Sequence, residues 1–436
     1  MSWYLALGGS IALLVGLLVL GLPVFVGFLI LNVVAVLMLF GPSGFGMFAN
    51  SIYTTATTSA LSAVPLFILM GELLFRSGAM ELLFDAMDRL IGRFRGRQYV
   101  LCILLSAILG ALSGAAMAVA GLLGRGLLPV MRQRGYDLRM STGTILAGAS
   151  LDPIIPPSVL AILIATIAQV STGKLLVAGI IPGLMLTVMF LLYVLVRLRM
   201  KPELAPDVDA EAVAKTGSVW MALAKMLPSL FLFFLVMGLV MLGVATPTEA
   251  AATGVVGAFI LAWAYGGLSL AMLKDAVMSS VTVAALLLVV MCCAVMFSQL
   301  LTLTGAARQL AEYVVTMELG KSVMLLLMMA LPFVLFMFLD AVALLLILVP
   351  IYQPLLPVLQ FDEIWFWTLF LVCATVGGIS PPFGYTLFAL HSAAPDVPMS
   401  EVFKAAWPFV WIIVWGMVLM AVFPPIVTWL PRLLGA

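Results

Sequence analysis

Two double prolines, Pro156-Pro157 in LDPIIPPSVL and Pro381-Pro382 in GGISPPFGYTLFAL, stand inside apolar stretches of membrane-spanning length. Proline has no N–H and its ring displaces the carbonyl one turn earlier, so neither stretch can be one continuous helix. Within a bilayer each backbone group left without a partner costs several kcal/mol. Broken backbone survives there only where something else takes up the lost hydrogen bonds. Any fold for this chain must therefore keep two interrupted helices away from lipid, and 381 less 156 puts them 225 residues apart.

That spacing marks a duplication, because other landmarks recur near the same offset. Pro23 matches Pro247, Ser77-Gly78 matches Thr304-Gly305, Pro129 matches Pro354 and Asp137 matches Asp362, all in the same order. Equivalent loops differ in charge. Residues 129–139 hold Arg132, Arg134 and Arg139, whereas 354–364 hold no basic residue; the five arginines of 76–97 face only Arg308 and Lys321 in 303–322. Basic loops stay in the cytoplasm, so the copies are expected to be inverted. On this reading Lys174, Arg308, Lys321 and Arg432 lie outside and the other sixteen of the twenty basic residues lie inside.

The expected fold is an all-α polytopic membrane protein of two inverted repeats, each with about five crossings and one re-entrant hairpin. The first repeat covers 1–199, with crossings at about 4–21, 23–40 and 56–76, a hairpin at about 98–131 and a broken helix at about 141–170. A cytoplasmic linker follows at 200–218. The second repeat covers 219–436, with its hairpin at about 321–357 and broken helix at about 363–392. The amphipathic segments 79–92 and 306–317 read as interfacial helices.

Composition supports a membrane solvent and narrows the chemistry: 65% of the 436 residues are hydrophobic and 9% charged. A net charge of +1 gives no nucleic-acid footprint. The four cysteines, Cys102, Cys292, Cys293 and Cys373, lie in apolar spans without a CxxC pair, and His391 is the single histidine, so neither a disulfide nor a metal centre is expected. No cofactor is implied. LGKS at 319–322 lacks the glycine that a phosphate loop requires at Val315. The N-terminus, MSWYLALGGS, has no basic n-region and no cleavage site, so it reads as a retained span.

The candidate site residues are those at the discontinuities. Prolines 156, 157, 381 and 382 free carbonyls that can coordinate small cations, while the half-helix N-termini attract anions. Ser113 and Gly114 in LSGAAMA sit midway along the first hairpin, and Asp340 in FLDAVAL takes the matching place in the second. A carboxylate in a membrane costs about 2.5 to 3.5 kcal/mol, so Asp340 reads as a cation ligand. Asp152 has two readings, as part of the site or as a cap on the half-helix starting at Pro156. The hydroxyls of Ser158, Ser380 and Thr386 belong to the same breaks. Glu72 and Glu249, near span ends, read as snorkelling or pairing residues.

ATPTEAAATG, GYD at 135–137, IIPPSVLAILIA, AGIIPG, FLDAVALLLILVP and GGISPPFGYTLF, in this order along nearly the whole chain, resemble the large membrane subunit of tripartite ATP-independent periplasmic (TRAP) transporters. The resemblance implies a scaffold and a transport domain that moves as an elevator, driven by sodium ions. It implies a separate small membrane subunit (Q) and a periplasmic solute-binding subunit (P) that delivers a small organic acid. One sodium site would join the Ser113-Gly114 tip to the break around Ser158; the other would join Asp340 to the break holding Gly377, Gly378, Ser380, Gly384 and Thr386. The chain departs from the family pattern in following the first tip with AAMAVA and in carrying an acid at Asp152.

An intramembrane aspartyl protease using Asp152 and Asp340 is the enzyme alternative, although its GxGD signature is absent. A passive channel is the third reading, and it ordinarily needs several subunits around one axis.

Overall fold

The computed structural model describes residues 3–90, 94–113, 116–206 and 219–433, and no strand occurs among them. Gly114 and linker residues 207–218 lie outside the described residues. Among the described residues, six stretches are long and apolar enough to cross a membrane: Val24–Ala56, Ser59–Arg76, Thr172–Met200, Pro247–Ala264, Leu270–Leu303 and Met399–Val422. Their faces divide as a lipid solvent requires. On Ile180–Met200, Leu184, Val188 and Leu192 are exposed while Leu186, Phe190 and Val194 are buried.

The hairpin helices are too short to span. At 1.5 Å per residue, Lys321–Phe336 reaches roughly 24 Å and Ala341–Tyr352 roughly 18 Å, against a hydrocarbon core of about 30 Å. They form one helix–turn–helix, and Arg97–Ser113 with Ala116–Gly126 forms another. Each is followed by an interrupted pair: Leu138–Ala149 then Val159–Ile167, and Glu363–Ile379 then Tyr385–Ala393. The order recurs residue for residue at its key points. Asp137 caps the first pair by accepting from Met140 N at 2.8 Å, and Asp362 caps the second by accepting from Trp365 N at 2.9 Å. The halves also exchange partners. Val159–Ile167 packs on Ala341–Tyr352, and Tyr385–Ala393 packs on Ala116–Gly126.

The crossing expected at about 56–76 is found as Ser59–Arg76. It is jointed at its start: the chain forms Gly46–Ala56, a turn, a 3-10 segment at Ser59–Ser62 and then Ala63–Arg76. Thr57 and Thr58 return their hydroxyls to the carbonyls of Tyr53 and Thr54, at 2.8 and 2.7 Å, and Pro65 cannot donate to the preceding turn. Its counterpart, Leu270–Leu303, runs unbroken for 34 residues. Ala63–Arg76 packs against both this helix and Pro247–Ala264, making a frame beside the hairpins.

Candidate functional site

Between that frame and the hairpins lies a cavity of about 740 Å³. Frame residues Glu72 and Arg76 line one side; Asp152 and Asp340 line the other. Four helices present their first residues to it, at Ala116, Val159, Ala341 and Tyr385. Each helix start carries roughly half a positive charge and unpaired N–H groups, so their convergence creates a positive field that needs anions nearby.

The two hairpin helices are answered by carboxylates. Asp340 precedes its helix and accepts from Val342 N at 2.9 Å and Ala343 N at 3.2 Å, while its side chain stays exposed to the cavity. Asp152 does the equivalent from far along the chain: its Oδ2 accepts from Ala116 N at 3.2 Å. This corrects the reading of Asp152 as a cap for the half-helix after Pro156. That half-helix starts at Val159, and Ser158 caps it by accepting from Ala161 N at 3.2 Å. Asp152 is displaced from the role because residues 153–157 lie between it and the helix start.

The breaks themselves are stitched by hydroxyls. Ser158 donates to the carbonyl of Pro153 at 2.5 Å, and Thr386 donates to that of Gly378. Both proline pairs, Pro156-Pro157 and Pro381-Pro382, lie in these turns with cis peptide bonds. Gly384 begins the second half-helix without a side-chain cap, and a Cβ there would stand 2.7 Å from the carbonyl oxygen of Gly378. Gly377 likewise meets the Phe336 backbone, at 2.8 Å from a built Cβ, so close packing accounts for both glycines. A Cβ on Gly378 would stand 3.0 Å from the Tyr385 ring.

Two buried oxygens at the breaks have no hydrogen-bond partner among the described residues, Asp152 Oδ1 and Ser380 Oγ. Buried polar atoms are rarely left so, and an oxygen without a donor suits a small hard cation. Ser113 ends its helix beside the undescribed tip, and Ser158, Ser380 and Thr386 are buried.

Glu72 is paired, as the sequence reading allowed: it is held by Arg76 at 2.7 Å and by the Ser279 hydroxyl at 2.8 Å, and Arg76 also reaches Asp275 at 3.9 Å. Sequence reasoning missed that Glu72 and Arg76 line the frame side of the cavity. The signal was available in the i,i+4 spacing of an acid and an arginine at the end of an apolar helix. Glu249, by contrast, closes a capping box with Thr246.

Short helices that meet end-on inside a membrane protein, beside a longer frame, define the secondary-transporter class of architecture. The chain belongs to the family described as tripartite ATP-independent periplasmic transporter, DctM component, whose model matches residues 11–426. It is similar to the C4-dicarboxylate TRAP transporter large permease protein DctM of Pseudomonas aeruginosa, 28% identical over 92% of each chain. The sialic acid TRAP transporter large permease protein SiaM of Vibrio cholerae is 29% identical over 98% of each. The ectoine TRAP transporter large permease protein TeaC of Halomonas elongata is 27% identical over 96% of this chain and 97% of its own. In fold the chain resembles the YdaH transporter of Alcanivorax borkumensis, with TM-score 0.61 and 18% identity over 88% of this chain and 90% of that one. The protein is thus a multi-pass protein of the bacterial inner membrane and the large subunit of a secondary transporter, not an enzyme. The protease reading of the two aspartates falls with that assignment.

Proposed function

We propose that the chain carries out sodium-coupled uptake of a small organic acid, with the carboxylate held in the 740 Å³ cavity. The observation that carries this reading is the convergence of four helix N-termini, two aspartates and Arg76 on one space. The half-helix starts at Val159 and Tyr385 offer donors to an anion, and Arg76 adds a guanidinium suited to a carboxylate. Asp340, with Ser380 and the second break, serves one sodium ion; Ser158, with the Ser113-Gly114 tip and the first break, serves another. Two halves in opposite orientation, with the hairpins and broken helices moving as an elevator against the frame, would carry this space across the bilayer. The reciprocal packing of each half-helix on the other half's hairpin supports one moving body. Family membership implies a separate small membrane subunit and a periplasmic binding protein that delivers the acid.

The test is uptake in proteoliposomes holding both membrane subunits, with the binding protein supplied outside. Asp340→Asn keeps the shape and the cap's acceptor while removing the charge, so the sodium concentration for half-maximal uptake should rise at least about tenfold, the effect of roughly 1.4 kcal/mol. Unchanged sodium dependence in a folded variant would remove Asp340 from the ion site.

A further inference from the structure

A second pocket, of about 370 Å³, lies away from the transport cavity, where Leu138–Ala149 begins and Ile180–Met200 ends. Four cations line it: Arg139, Arg197, Lys201 and Lys404. The carboxylates nearby are already engaged. Asp137 caps its helix through Met140 N, and Glu401 pairs with both Arg139 and Lys404. The ion pairs at this pocket take up Arg139 and Lys404 and, among the described residues, leave Arg197 and Lys201 without a carboxylate, with Arg197 Nε buried and lacking an acceptor. A buried guanidinium N–H left unpaired costs more than an ordinary lost hydrogen bond, and an oxyanion is the acceptor chemistry that suits it.

The walls are rigid and half apolar. Leu204 is fixed by its carbonyl, which accepts from the Tyr99 hydroxyl at 2.5 Å and from Asp137 N at 3.0 Å. Tyr193 and Phe409 meet edge to face at 5.2 Å on the other side, and the adjoining Leu192, Leu195 and Val196 are exposed as lipid-facing residues. A soluble anion would use only the charged half of such a site. A phospholipid would use both, with its phosphate on the cations and its chains along the exposed leucines.

We propose that this pocket binds the phosphate of an anionic phospholipid, with Arg197 and Lys201 as the phosphate-holding residues. The end of the chain bearing these cations is the end that the charge asymmetry assigns to the cytoplasm, where anionic lipid is available.

The experiment titrates the purified full-length protein in mild detergent with short-chain phosphatidylglycerol, short-chain phosphatidylcholine or inorganic phosphate, and follows thermal unfolding by tryptophan fluorescence. Phosphatidylglycerol should raise the midpoint at lower concentration than phosphatidylcholine does. Arg197→Gln/Lys201→Gln should raise the half-maximal phosphatidylglycerol concentration on the order of tenfold, as expected for two cations near a lipid surface. Lys201→Gln alone, at an exposed helix end, keeps the fold and should give an intermediate shift, while Arg308→Gln should give none. Equal stabilisation by phosphatidylcholine, or an unchanged titration in the double variant, overturns the proposal. Stabilisation by inorganic phosphate alone, as strong as by the lipid, overturns the lipid source.

Discussion

At the scale of single residues, Asp152 and Asp340 solve one electrostatic problem by different routes. Ala116 and Ala341 start equivalent helices, 225 positions apart, and each start receives a carboxylate. In the second half it comes from the preceding residue; in the first half, where the sequence has Ala115, it comes from the far side of the break. The two carboxylates should therefore be exchangeable by position. Asp152→Ala should lower stability by about 1 kcal/mol, the ordinary worth of a helix cap, and Ala115→Asp added to it should recover most of that loss. Thermal unfolding of the two variants beside wild type checks this, and no recovery would mean that Asp152 acts other than as a cap. The place of Asp340 at the head of the second hairpin helix was legible in FLDAVAL. The partner of Asp152 was not, because a bond from 152 to 116 depends on how the hairpin folds back, and no local pattern encodes that.

Among elements, the breaks and the ties between halves make separate predictions. Pro156→Ala/Pro157→Ala returns two N–H donors to the first break, and each regained helical bond is worth about 0.5 to 1.5 kcal/mol. If the turn serves only as a kink, the variant should be at least as stable as wild type and should transport normally. The ion-site reading expects stability kept and sodium-driven uptake lost, measured by unfolding with and without sodium beside uptake. At one end of the molecule, Arg132 of the first half pairs with Asp396 of the second. The guanidinium's hydrogen bond holds the Asp396 carboxyl below the usual carboxylate range. Because the folded carboxyl is the stronger acid, the pair's contribution is fully present above the unfolded value, about 4, and is lost as pH falls through the folded one. The midpoint difference between wild type and Arg132→Gln should accordingly shrink on acidification below about pH 4. Both side chains are partly exposed, so the difference should be small and should fade in high salt.

For the molecule as a whole, the recurrence of elements was readable because proline, glycine and capping aspartate mark boundaries in the chain itself. The frame side of the cavity was not, since Glu72 and Arg76 come to line it only when Ala63–Arg76 is laid against the hairpins. Orientation is the property to measure. A cysteine placed at Gln133 should react with an impermeant reagent only from the cytoplasm and one at Gln360 only from the periplasm, and labelling of both from one side would exclude opposed halves. The frame also has an unequal build: 34 helical residues without interruption in one half, a joint at Thr57–Ser62 in the other. A continuous helix of that length measures roughly 51 Å, which exceeds the full bilayer of about 40 to 45 Å unless it tilts. One half of the frame therefore acts as a fixed ruler against membrane thickness and the other as its adjustable limb, so a change in lipid chain length would be felt first at the joint.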